Sequence, residues 1–221
     1  MTQPSELIIE PPSGRPANAC VFILHGLGAD GHDFEPLVPQ LALPPGVEAR
    51  FSMPHAPSLA VTVNNGMTMP AWYDILSVDL GRKVDAAQLT RSAQRIQQLI
   101  QAQIDQGIGS RRIIVAGFSQ GGAVAYQAAL TFDQPLAGLL AMSTYLANLD
   151  ALALSEANRA LPIEAHHGTA DAVVPESLGR EGVEALSAQG YAVEYRRYAM
   201  AHALCPAQID DISRFLSARL G

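Results

Sequence analysis

Apolar positions along this chain follow two rhythms. Short runs with few polar interruptions over 20–24, 112–116 and 136–142 read as strands buried on both faces. Over 85–106 the pattern changes. Leu89, Ala93, Ile96, Ile100 and Ile104 recur at steps of three and four, with Gln94, Gln97, Gln98 and Gln101 turned outward, which predicts an amphipathic helix ended by Gly107 and Gly109. The same reading gives further strands over 7–10 (a short edge strand), 47–51, 163–166 and 192–198. Further helices are predicted over 120–130, 175–189 and 206–220, with a short one broken by prolines over 34–41. Strands alternating with helices imply a mostly parallel sheet covered on both faces. Residues 52–84, rich in Pro, Met and Asn, read as one long irregular section, and loops of that length usually shape a functional site.

The 221 residues, 48% of them hydrophobic, are enough for one α/β domain spanning 1–221, with no second domain required. A net charge of −7 argues against nucleic acid or an anionic membrane as partner. No apolar run approaches the roughly 20 residues needed to span a bilayer, so stable membrane insertion is not expected. The first residues lack a basic segment before an apolar stretch and lack a myristoylation glycine, which predicts a cytoplasmic protein. Cys20 and Cys205 then read as two reduced, independent thiols.

Chemistry concentrates at one corner. Gly117-Phe118-Ser119-Gln120-Gly121 lies between a predicted strand and a predicted helix, the context in which Gly-x-Ser-x-Gly forms a nucleophile elbow. A serine hydroxyl is a weak nucleophile, so Ser119 needs a histidine to take its proton and an acid to orient that histidine. In a parallel sheet both should follow later strands, at the edge where the strands' C-terminal ends open. Asp171, after the strand over 163–166, and His202, after that over 192–198, meet this condition. Their order, Ser119, Asp171, His202, is the chain order of α/β-hydrolases. Glu164, inside a strand, and Asp150, after the wrong strand, are weaker candidates for the acid. The expected oxyanion donors are the backbone N–H groups of Gln120, at the helix start, and Leu27, in the glycine-rich loop after the first buried strand. The remaining histidines read as structural, with His25 supporting its loop and His32 and His55 on surface loops. His166 and His167 are adjacent on a strand and so point to opposite faces.

Residues Leu24-His25-Gly26-Leu27-Gly28-Ala29-Asp30, Met69-Pro70-Ala71-Trp72-Tyr73-Asp74, Ala116-Gly117-Phe118-Ser119-Gln120-Gly121-Gly122, His167-Gly168-Thr169-Ala170-Asp171 with Val174-Pro175, and Met200-Ala201-His202 together resemble the phospholipase/carboxylesterase family of small serine hydrolases, which includes acyl-protein thioesterases. The resemblance covers nearly the whole chain. It implies an α/β-hydrolase fold with no large lid domain, Ser119, Asp171 and His202 as triad, Leu27 and Gln120 as oxyanion hole, and neither metal nor cofactor. Ala201 stands where the family usually has glycine.

The expected partner is a small-molecule ester, cleaved through an acyl-enzyme intermediate. A thioester or lysophospholipid is the alternative, and a homodimer is left open. Met67, Met69, Trp72 and Met200 are candidate walls of an acyl pocket. Two competing readings are weaker. Gly26-Leu27-Gly28-Ala29-Asp30-Gly31 formally matches a dinucleotide fingerprint, but Pro36 and Pro39 spoil the helix that motif needs, and Glu48 lies near the start of its strand. A catalytically slow receptor on the same fold would have no need of serine, acid and histidine together.

Overall fold

The computed structural model describes residues 5–78 and 82–221. Its central sheet has seven strands in the order β1-β3-β2-β8-β9-β10-β11. These are β1 (Glu6–Ile9), β2 (Ala19–Leu24), β3 (Ala49–Pro54), β8 (Ile113–Phe118), β9 (Gly138–Met142), β10 (Ile163–Gly168) and β11 (Val193–Tyr198). Only β1 runs antiparallel, on β3 at one edge. Among the described residues four α-helices cover the sheet: α1 (Ala86–Asp105), α2 (Gln120–Leu130), α3 (Glu176–Ala188) and α4 (Pro206–Leu220).

Alternation along β8 shows how the strands, buried on both sides, feed two cores. Ile113 and Val115 pack with Leu89, Ile96 and Ile100 of α1 and the small residues of α2. Ile114 and Ala116 face the other way, onto Phe215, Leu216 and Leu220 of α4 and Phe34 and Leu37. Helix α1 begins on Asp85, whose side chain accepts from Gln88 N–H, and ends before Gly107, at φ +100°. Gln97 departs from its expected outward place. Its amide donates to Ala128 O and Thr131 Oγ1, because that flank of α1 lies against α2.

The short proline-bearing helix expected over 34–41 is present as a 3-10 helix, Gly31–Gln40, which carries Pro36 and Pro39 and is capped by Leu41. A second expectation about the chain path needs correction. The stretch 52–84 is not one structureless loop. Strand β3 continues to Pro54. Beyond it β4 (Ser58–Val61) pairs with β5 (Met67–Pro70), and β6 (Ile75–Ser77) with β7 (Lys83–Val84), as two small antiparallel ribbons. Asp74 fastens them, accepting from both Thr62 N–H and Thr62 Oγ1. Among the described residues, no helix is long and apolar enough to cross a membrane.

Candidate active site

Ser119 is the single residue between β8 and α2, and it adopts φ 54° and ψ −121°. That conformation costs a non-glycine residue about 1–3 kcal/mol, so the surroundings must hold it. They do so through close backbone contact. A Cβ on Gly117 would come within 2.4 Å of Gly121 O, and one on Gly121 within 2.4 Å of Leu24 O. The two glycines of the elbow are therefore needed for contact between β8, α2 and β2. Ser119 N–H donates to Met142 O, and Thr144 Oγ1 donates to Ser119 O at 2.6 Å, fastening the corner to the end of β9.

Asp171 lies in the turn after β10. Its Oδ1 accepts from Val173 N–H and Val174 N–H, at 2.9 and 2.8 Å. Its Oδ2 meets His202 Nδ1 at 2.7 Å. An ionised carboxylate can only accept, so Nδ1 carries the proton in this pair and the other ring nitrogen, Nε2, is left as acceptor. The His202 ring rests on Phe118 with centroids 4.7 Å apart. His167 is a neighbour of this acid too, 3.7 Å from Oδ2, but its Nε2 donates to Val174 O and so serves the loop.

Ser119 and His202 share a cleft of about 450 Å³, whose apolar walls include Leu27, Phe34, Phe118, Val173 and Leu204. No hydrogen bond joins Ser119 Oγ to the imidazole in this structure, and such contacts often tighten only around substrate. A larger groove of about 580 Å³ beside β1, lined by Ile9, Val38, Leu41 and Phe51, contains neither serine nor histidine. Ser119 and His202 thus meet in the smaller cleft.

The loop after β2 is built around His25. Ala56 N–H donates to its Nε2 at 3.0 Å and its Nδ1 meets Gly26 O at 2.7 Å, which defines a neutral ring with the proton on Nδ1. Burial lowers the pKa of this imidazole, in keeping with the neutral form. Leu27 N–H makes no hydrogen bond among the described residues. Neither does Gln120 N–H, one of the unpaired donors at the start of a helix. Both residues border the serine.

Of the four expected pocket walls, none lines this cleft. Trp72 is corrected to a core residue, 1% exposed, with its indole N–H donating to His25 O. Met67 is 64% exposed on the β4–β5 ribbon. Met69 turns its sulfur to Asn64 Nδ2 and Gly28. Met200 is half-buried, and its carbonyl accepts from Ala170 N–H. The sequence reading missed the Gln120 side chain, which accepts from Trp72 N–H at 2.8 Å and donates to Tyr73 O at 2.6 Å. A buried amide directly after the elbow serine was the available signal.

Residues 5–220 match the model of the phospholipase/carboxylesterase family. The chain is 39% identical to acyl-protein thioesterase 1 of Neurospora crassa over 91% of its length and 87% of the relative's. It is 37% identical to the protein of that name from Mycosarcoma maydis, over 95% of each. Among solved structures, Arabidopsis thaliana SOBER1 superposes with a TM-score of 0.88 at 26% identity, over 93% of this chain and all of the other. Fold and sequence agree: the chain belongs to the phospholipase/carboxylesterase family of α/β-hydrolases and is a serine hydrolase.

Proposed function

We propose that the protein hydrolyses carboxylic esters of small to medium acyl chains through an acyl-enzyme intermediate on Ser119. The observation that carries this reading is the 2.7 Å contact between Asp171 and His202 Nδ1, made beside a strained serine in the same cleft. In the proposed cycle His202 Nε2 takes the Ser119 proton as Oγ attacks the carbonyl carbon. Asp171 holds the tautomer and stabilises the imidazolium that forms. The amides of Leu27 and Gln120 receive the negative charge on the carbonyl oxygen. Collapse expels the alcohol, protonated by His202. Water, activated by the same ring, then releases the acid and restores Ser119.

Two features bear on the substrate. The apolar walls of the cleft suit an acyl chain, and its volume suits a small-molecule ester. The relatives named acyl-protein thioesterase favour a second reading, in which the leaving group is a thiol, and the same cycle accommodates it. Matched oxygen-ester and thioester series from two to sixteen carbons separate the readings. A kcat/KM maximum at medium chain length supports the pocket, and the better leaving atom identifies the substrate class. Equal rates across all lengths would remove the acyl-pocket proposal.

A further inference from the structure

Three side chains outside the cleft converge on the loop that carries Leu27. Asp30 and His32 stand two residues apart at the start of the 3-10 helix, and His55 lies just after β3. One ligand atom from each lies within 4.8 Å of the other two, the one such group of three among the described residues. His32 Nδ1 is 3.0 Å from Asp30 Oδ1, and the His32 and His55 rings stack with centroids 5.3 Å apart.

Two imidazoles and a carboxylate form a donor set suited to zinc and its neighbours, and poorly suited to calcium or magnesium, which take oxygen ligands. With metal–ligand bonds near 2.0–2.2 Å, the corners of a tetrahedral site stand about 3.3 Å apart. The Asp30–His32 edge is already close to that length, and the side chains of both residues are about half exposed, leaving them room to adjust toward His55. The geometry points to a divalent transition-metal site of zinc type formed by Asp30, His32 and His55, with water completing the coordination.

In the metal-free neutral ring, His55 Nδ1 accepts from Gly31 N–H at 3.1 Å, so Nε2 carries the proton. Coordination therefore displaces the Gly31 contact, whether Nδ1 itself binds the ion or the proton moves to Nδ1 as Nε2 binds. The neighbouring Ala56 N–H holds His25, and Ala29 and Asp33 line the Ser119 cleft. A bound ion would thus tie the loop after β2 to the turn after β3. The catalytic cycle does not require it.

The test uses the full chain without a histidine tag, cleared with chelator and titrated with zinc chloride in a calorimeter. One saturable site is expected, and His32→Ala should weaken it at least tenfold. Asp30→Asn, which retains a helix-capping side chain, should weaken it similarly, whereas His202→Ala should leave it unchanged. At a hundredfold excess of zinc over Kd, Tm should rise by about 5 °C in the native protein and much less in His32→Ala. Absence of saturable binding overturns the proposal. So does binding that survives His32→Ala and Asp30→Asn but is lost in His202→Ala, since the ion would then sit on the imidazole beside Ser119.

Discussion

Two of the molecule's carboxylate–histidine pairs are nearly equal in length and opposite in character. His166 Nε2 lies 3.0 Å from Glu164 Oε2 on β10, and the His166 side chain is wholly inaccessible. His202 Nδ1 lies 2.7 Å from Asp171 Oδ2 beyond the strand ends, with its side chain 16% exposed at a cleft. Burial lowers the pKa of His166, with Glu164 pulling against it. Burial also works to raise that of Glu164, but hydrogen bonds from His166 and Arg196 and the Arg196 charge outweigh it and hold the carboxyl below its usual value. The first pair is therefore a structural tie between neutral imidazole and carboxylate under α4. Equal contact chemistry can serve different ends, because of the two histidines only His202 lines the serine's cleft.

The largest effects separate the pairs by activity. Ser119→Ala and His202→Ala should each lower kcat by about five to six orders of magnitude while leaving the unfolding midpoint nearly unchanged, read by ester hydrolysis and urea denaturation. Asp171→Asn should fold and lower kcat by about four orders, because its amide can donate to Nδ1 and so favour the wrong tautomer. His166→Ala reverses the pattern. It should cost about 2–4 kcal/mol of stability, by removing a buried ring and leaving Glu164 with Arg196 as its remaining side-chain donor, and change kcat/KM less than fivefold. Loss of activity in the soluble, folded His166→Ala protein would break the division drawn here.

Gln120→Ala offers a smaller, mixed effect. Two buried hydrogen bonds to residues 72 and 73 disappear, so about 1–3 kcal/mol of stability should go, with a fall in kcat if the elbow loosens. Smallest is a pH effect on folding. His25 and His166 both have folded pKa values below their ordinary 6.5, so the unfolded chain binds more protons as the pH falls through that value. Stability should decline from about pH 6.5 downward, and Glu164, depressed below 4.5, should add to the loss at lower pH. Urea midpoints from pH 8 to 4 measure this, and His166→Gln should flatten the upper part of the curve.

The parts of the fold legible in the sequence are those with a strong local rule. Residues 113–118 form the expected buried strand within one or two positions, and the α1 stripe of Leu89, Ala93, Ile96 and Ile100 is buried as its spacing predicts. The ribbons β4–β5 and β6–β7 escaped because strands of two to four residues carry too little alternation to register. At the site, Asp171 and His202 could be placed from strand ends alone, since a parallel sheet gathers those ends at one edge. Pocket walls obey no comparable rule. Trp72 turned inward because His25 O offers its indole N–H a buried partner, while Phe34, Val173 and Leu204 reach the cleft from three separate segments. Which side of a loop faces a cavity depends on contacts distant in sequence.

The central claim is that Ser119 is made nucleophilic by the Asp171–His202 pair, and covalent labelling with a fluorophosphonate probe tests it most directly. Native protein and His166→Ala should label rapidly and at one site, with Ser119→Ala unlabelled and His202→Ala slowed by orders of magnitude. Native protein that resists the probe, or labelling that persists in Ser119→Ala, would contradict the account.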